Sequence, residues 1–305
     1  MHTNTNTKNA FVTIIGRPNA GKSSILNALV GEKIAAVSAK PQTTRTKITG
    51  VITKDETQYV FMDTPGMHKS KNKLSEHMMK TVNESVADVD IAMFVADCTK
   101  KSSENERLLL NNLKSNGGKS ILIINKIDLL DNKEDLIKII ADYSTLHDFD
   151  EVIPVSALTG DGLDIVMKIL SKYAIDGPHY FPDDMLTDQP EKVIMAEIIR
   201  EKALNNLNEE IPHGIAVTIE SLKERDNRAG EAILDISAVI YCERDSHKGI
   251  VIGKNGSMLR KIGAESRIEL EDFFQIKVNL QCWVKVKEGW RNREGMIRNF
   301  GLSSN

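Results

Sequence analysis

Apolar residues in the first 175 positions of this 305-residue chain fall into short unbroken runs. Phe11-Val12-Thr13-Ile14-Ile15, Ile91-Ala92-Met93-Phe94-Val95-Ala96 and Ile121-Leu122-Ile123-Ile124 show no apolar–polar alternation. Strands covered by helices on both sides read this way, because both of their faces are buried. Strands are expected at 11–15, 46–53, 58–63, 90–96, 120–124 and 151–155, and helices near 22–30, 73–87, 103–116, 133–146 and 161–174. This order predicts an α/β domain with a parallel sheet and a ligand at the carboxyl ends of its strands.

The pattern changes after Ile175. The stretch to Pro190 carries Pro178, Pro182 and several aspartates, so it reads as a linker, with Tyr180 and Phe181 packing on one of the domains. Glu191 to Leu207 is helix-like, with Ile194, Ile198 and Ile199 on one side. Ile215 to Ser221, Ala232 to Cys242 and Gln275 to Val286 alternate like half-buried strands. Helix-like segments flank Gly253-Lys254-Asn255-Gly256, which makes the order α-β-β-α-α-β. The predicted organisation is a disordered 1–9, an α/β domain over 10–175, a linker over 176–190, an α+β domain over 191–288 and a basic tail over 289–305.

Composition narrows the classes. A chain with 41% hydrophobic and 27% charged residues has enough apolar content for ordinary cores. Its net charge of −3 excludes a polycation that coats nucleic acid, so any such binding needs a local patch. Cys98, Cys242 and Cys282 form no C-x-x-C pair, and their odd number fits a reducing cytoplasm better than a disulfide framework. Met1 to Asn9 is polar, unlike a secretory signal, and no apolar run approaches the ~18 residues of a membrane span.

The candidate chemistry begins at Gly16-Arg17-Pro18-Asn19-Ala20-Gly21-Lys22-Ser23, between a strand and a helix start. Glycines at these spacings turn backbone N–H groups toward a triphosphate, a lysine meets its β/γ-phosphates, and a hydroxyl ligates Mg²⁺. The helix N-terminus adds its dipole. Asp63-Thr64-Pro65-Gly66 ends another strand: Asp63 can hold Mg²⁺ through a water and the Gly66 N–H can reach the γ-phosphate. Asn125-Lys126-Ile127-Asp128 closes a third, and Asp128 can accept from the N1–H and 2-amino group of guanine. Adenine lacks that donor pair, and sites of this kind discriminate by ~10⁴. The Ala157 N–H of Ser156-Ala157 can donate to guanine O6. In Gln42-Thr43-Thr44-Arg45 a threonine hydroxyl can ligate Mg²⁺ while the γ-phosphate is present, and Thr44 is favoured over Thr43.

In the second half, Lys248, Ile252, Gly253, Lys254, Asn255, Gly256 and Arg260 form a basic, glycine-containing segment between helices. Two glycines around two polar residues admit a nucleic-acid backbone, as in the GXXG loop of KH modules, which clamps about four nucleotides. The tail, with Trp290 between Lys285, Lys287, Arg291 and Arg293, is either an extension of that surface, a membrane contact or a solvated segment with Trp290 packed inward.

The five motifs of the first half are those of a Ras-like P-loop GTPase domain, and the second half matches the order of a type II KH domain. Together with the linker run His179-Tyr180-Phe181-Pro182-Asp183-Asp184, they resemble the Era-type members of the TrmE–Era–EngA GTPases. The resemblance implies a ribosome-assembly factor that binds GTP or GDP with Mg²⁺ and hydrolyses GTP. It also implies binding to the small-subunit rRNA near its 3′ end and to the 30S subunit, in a monomer that is cytoplasmic and in some cases peripheral on the inner membrane. Asn19, Lys22, Thr44 and Gly66 are its implied catalytic residues. Met67 stands where many relatives carry a water-orienting glutamine, and a methionine cannot orient water. Asn19 matches the family's K⁺-holding asparagine, so K⁺ is a candidate cofactor; the alternative is that Asn19 only shapes the loop. A membrane-directed GTPase and a KH module with a structural nucleotide are the competing functions.

Overall fold

The computed structural model describes residues 7–38, 40, 43–66, 72–84, 89–208, 211–227 and 229–302. In the first domain the elements run β1 (Lys8–Gly16), α1 (Lys22–Val30), β2 (Ile48–Lys54), β3 (Thr57–Asp63), α2 (Lys73–Glu84), β4 (Ile91–Asp97), α3 (Glu104–Asn116), β5 (Lys119–Asn125), α4 (Lys133–Leu146), β6 (Glu151–Pro154), α5 (Leu163–Leu170) and β7 (Ile175–Asp176). The sheet order is β2-β3-β1-β4-β5-β6. Among the described residues of this sheet the β2–β3 hairpin and the β7–β1 pair are antiparallel, so the sheet is mixed where a parallel one was expected: the short turn between Lys54 and Thr57 leaves no room for a crossover.

The unbroken apolar runs are explained by two cores. Ile91, Met93 and Val95 of β4 pack with Ile25 and Leu26 of α1 and with Val166 and Leu170 of α5. Ala92, Phe94 and Ala96 face the opposite way, onto Leu109 and Leu113 of α3 and Tyr143 of α4. Each of the larger aliphatic and phenylalanine side chains buried here contributes about 1.5–3 kcal/mol, so a polar residue on either face of β4 would be costly.

The second domain contains α6 (Glu191–Asn206), β8 (Ala216–Asp226), β9 (Ala232–Cys242), α7 (Asp245–Ile252), α8 (Ser257–Phe274), β10 (Lys277–Val286) and α9 (Glu294–Asn299). Its sheet order is β10-β9-β8, with β10 parallel to β9 and β8 antiparallel. Ile194, Ile198 and Ile199 of α6, Val251 of α7 and Ile262 and Leu270 of α8 cover one face of this sheet. Trp283 is 58% exposed. The fold is the expected Ras-like domain followed by a KH domain.

One boundary differs from the sequence reading, while the linker packs on the first domain as expected and Trp290 turns inward, as one reading of the tail had it. Lys8 and Asn9, assigned to a disordered N-terminus, lie in β1 and pair with Thr57 and Gln58 on one side and with Asp176 and Ile175 on the other. Their polar side chains hid a backbone that is fully laddered. Asn9 is buried, and its amide donates to Pro178 O at 3.1 Å. The linker is fastened to β2 and β3: Val51 N–H donates to Leu186 O at 2.8 Å, and the Gln58 amide takes Tyr180 N–H and donates to Phe181 O, while the Tyr180 ring meets Phe11 edge-on. The tail is built into the molecule. Trp290 is fully buried and joins Ile297 and Leu302 in a core shared with Ala216 of β8 and Leu74 and Met78 of α2. Among the described residues no helix is long and apolar enough to cross a membrane.

Candidate nucleotide site and nucleic-acid groove

The ends of β1, β3, β5 and β6 converge on the phosphate loop. Gly21 precedes α1 with φ 92°, and a Cβ there would lie 2.1 Å from Asn125 Nδ2. No other residue fits this conformation and this space together. The contact is functional geometry, because Asn125 Nδ2 donates to Ala20 O at 2.9 Å while its Oδ1 accepts the Ala157 N–H at 3.0 Å. One side chain thus ties the phosphate loop to the Ser156-Ala157 segment. Ser156 Oγ donates to Asp128 Oδ1 at 2.5 Å, which orients the carboxylate assigned to the base. Lys22 is buried and donates to Arg17 O at 3.2 Å. Burial lowers the pKa of its ammonium, and the Asp63 carboxylate opposes that effect.

Ser23, Thr44 and Asp63 meet at one point. Ser23 Oγ is 2.8 Å from Thr44 Oγ1 and donates to Asp63 Oδ2 at 2.5 Å, and Thr44 Oγ1 reaches the same oxygen at 3.4 Å. Thr43 Oγ1 turns away and donates to Lys40 O at 2.7 Å, which favours Thr44 of the two threonines. Asp63 Oδ1 is buried with no hydrogen-bond partner among the described residues. Burial raises its carboxyl above the ordinary carboxylate pKa, against the pull of Lys22 and Ser23. Two hydroxyls beside a buried, half-satisfied carboxylate form a hard oxygen set suited to Mg²⁺.

Gly66 lies against the loop: a Cβ would meet Pro18 Cα and N at 2.6 Å. Asn19 and Gly66 line one cavity with Lys22, Ser23 and Thr44. The Thr64 side chain serves the strand instead, donating to Ile14 O at 2.9 Å. Gly16, Arg17 and Pro65 do not line that cavity, and the Arg17 guanidinium turns to Lys101 O at 3.5 Å. Gln42 and Met67 lie outside the described residues.

In the second domain a cavity of about 600 Å³ opens beside α8, lined by Asn255, Gly256, Leu259, Arg260, Arg267 and Leu280 among others. It takes in three of the residues assigned to RNA; Lys248, Ile252, Gly253 and Lys254 do not line it. Arg260 Nη2 donates to Asn255 O at 2.8 Å, so this guanidinium braces the glycine loop. Arg267, missed in the sequence, lies seven residues further on, two helical turns along the same face.

The sequence also concealed how the Thr44 loop is held by the second domain. The Glu201 carboxylate accepts Val37 N–H at 2.7 Å, Asn205 accepts from Ser38 at 2.7 Å, and Arg200, fully buried, donates to Thr43 O. Arg45 donates to Ile215 O at 2.5 Å and His213 O at 3.0 Å, with its guanidinium 5.6 Å over the Trp290 ring. Burial, then the neighbouring Arg200, brings the pKa of Arg45 down to about 9.

The family models that match are "50S ribosome-binding GTPase" over residues 11–126 and "KH domain" over residues 210–291. GTPase Era of Clostridioides difficile is 52% identical over 97% of this chain and 99% of its own length. GTPase Era of Ruminiclostridium cellulolyticum is 47% identical over 98% of both. A solved Era in complex with MgGDPNP and nucleotides 1506–1542 of 16S ribosomal RNA superposes with a TM-score of 0.93, at 36% identity over 98% of this chain and 100% of that one. An Aquifex aeolicus Era variant bound to GDP·AlF4⁻ gives 0.92 with the same identity and coverage. Identity at this level, end to end and through both domains, means that the chain belongs to the Era family of GTPases.

Proposed function

We propose that this chain hydrolyses GTP, binds single-stranded RNA at the 3′ end of the small-subunit rRNA within the 30S particle, and couples the two events. The coupling rests on one observation: the loop carrying Thr44 is held through Val37, Ser38, Thr43 and Arg45 by the KH domain. A loop that follows the γ-phosphate must pull on α6 and β8, and a KH domain shifted by RNA must pull on the loop. The rRNA target comes from the relative solved with 16S RNA, a narrower guide than a family description naming the 50S subunit. The groove beside Gly256, with Arg267 and the apolar Leu259 and Leu280, suits bases lifted from a stack. Trp290 faces the protein interior, so the tail lacks the aromatic anchor that a membrane contact would use.

Linkage makes the coupling reciprocal. RNA affinity is expected to differ between the GDP state and a non-hydrolysable GTP analogue by about 5- to 150-fold, the usual span of allosteric coupling. Arg200→Ala releases Thr43 and should shrink that ratio toward one, as measured by fluorescence anisotropy with a short 3′-end RNA. Equal affinity in both nucleotide states of the unmodified protein would end the coupling reading. It would leave a KH module with a structural nucleotide.

Ser23 and Thr44 would hold Mg²⁺ directly and Asp63 through a water. Mg²⁺ bound there would supply positive charge to the triphosphate. Lys22 and the Gly66 N–H orient and polarise the γ-phosphate from the protein side. Methionine at position 67 leaves the attacking water without its usual side-chain partner, and K⁺ held with the help of Asn19, which lines the phosphate cavity, would add to the positive charge that favours the transition state. GTP turnover is expected to be at least several-fold faster in KCl than in NaCl at equal ionic strength, with Asn19→Asp or Asn19→Ala erasing the difference. Equal rates in the two salts would reject K⁺.

A further inference from the structure

The turn that carries Asp128 is gripped by the end of the neighbouring strand. β4 and β5 are in register with Asp97 opposite Asn125. Asp97 is almost fully buried at the end of an otherwise apolar strand. Its Oδ2 accepts from Lys126 Nζ at 2.7 Å, and its Oδ1 accepts from Thr99 N at 2.9 Å and Thr99 Oγ1 at 2.7 Å. The next residue, Cys98, adds two more contacts: its N–H donates to Asn125 O at 3.1 Å and its Sγ–H to Lys126 O at 3.0 Å. Lys126 itself has φ 70°, a left-handed backbone that disfavours a side-chain-bearing residue. Such a conformation persists only where its surroundings over-determine it. Lys126 opens the single 3₁₀ turn Ile127–Leu129, so its backbone sets where Asp128 points.

We propose that Asp97 is a positioning residue for the guanine site: by holding the Lys126 ammonium it keeps Lys126 in its left-handed conformation and Asp128 aimed at the base. This rests on the assignment of Asp128 to guanine. Burial works to raise the Asp97 carboxyl, but the bonds from Lys126 and Thr99 outweigh it, so its pKa lies below the ordinary carboxylate value. The carboxylate is therefore charged at neutral pH, as a salt bridge to Lys126 requires. The Lys126 side chain is 32% exposed, so solvent weakens the pair, and its role is better sought in nucleotide affinity than in global stability.

The test uses the full chain and dissociation of a fluorescent GDP or GTP analogue in stopped flow. Asp97→Asn keeps an acceptor for Thr99 but loses the charge that holds Lys126. Dissociation is expected to accelerate about tenfold for both nucleotides, the scale of one charge-assisted hydrogen bond. KM should rise by a similar factor, with the loss appearing there rather than in kcat. A double variant of Asp97→Asn with Lys126→Ala should dissociate nucleotide no faster than Lys126→Ala alone, because Asp97 then has nothing to hold. A part played only through the Thr99 turn would make the two effects additive. Unchanged dissociation in Asp97→Asn, or additivity, overturns the proposal. Asp128→Asn run alongside separates the failures. If it shifts base preference while Asp97→Asn changes nothing, only the Asp97 inference falls; if it leaves GTP binding intact, the guanine assignment falls and this inference with it.

Discussion

Replacing Asp128 by asparagine should lower affinity for GTP by about two to three orders of magnitude and raise affinity for xanthosine triphosphate. Guanine offers two donors on one edge, and a carboxylate accepts both. An asparagine amide accepts one and sets its own N–H₂ against the other, so a favourable contact becomes a repulsive one. Xanthine carries a carbonyl where guanine carries the amino group, and the amide can donate to it. Ser156 Oγ donates to Asp128 Oδ1 at 2.5 Å, so the side chain is already oriented before the base arrives. That preorganisation is why the effect should be large. Competition of the two triphosphates against a fluorescent GDP analogue measures it, and retention of full GTP affinity in the variant would place the base elsewhere.

The second large effect is structural. Trp290→Ala should destabilise the junction between the domains by about 3–5 kcal/mol, the usual cost of deleting a buried tryptophan. Trp290 is fully buried, its Nε1–H donates to Gly214 O at 2.9 Å, and its ring meets Phe300 edge-on with centroids 5.1 Å apart. It also lies under the Arg45 guanidinium. Alanine removes the packing, leaves the Gly214 carbonyl unpaired and strips the covering from a buried cation. The melting temperature is expected to fall by about 10 °C. The GTP-dependent difference in RNA affinity should shrink with it, because Arg45 belongs to the loop that carries Thr44. Trp290→Phe should restore much of the melting temperature, since it keeps the ring and loses only the N–H. A tail that merely hangs in solvent would show neither change.

What was legible in the sequence was local. Gly16 to Ser23 announces its chemistry because a strand, a turn and a helix start are contiguous, so spacing and geometry are the same information. Asp63 to Gly66, Asn125 to Asp128 and Ser156-Ala157 are equally compact, and a parallel sheet necessarily gathers their strand ends on one edge. The two-sided burial of β4 was visible as an apolar run. The GXXG loop was visible as well, but not the Arg260 brace across it, nor Arg267 in the groove.

What stayed hidden at the two ends of the chain has a common cause. Lys8 and Asn9 looked like a tail because strand pairing depends on backbone, and polar side chains conceal it. For the tail, the reading with Trp290 packed inward is the one the fold adopts; that Ile297 and Leu302 join it was concealed because the three are too sparse to show a period, yet they fill a gap left by α2 and β8.

By itself the sequence determined that this chain binds a nucleoside triphosphate, which base it prefers, and that a KH module follows, because each of those properties resides in a few residues adjacent along the backbone. Only the tertiary structure decided how the two halves communicate. Arg200 and Thr43 are 157 positions apart, Arg45 and Ile215 are 170 apart, and Asp97 meets Lys126 across two strands. An isolated arginine on a helix carries no mark of the carbonyl it will meet. That partner is chosen by packing two separately formed cores against one another, and the cost of burying an unpaired charge then compels the pairing.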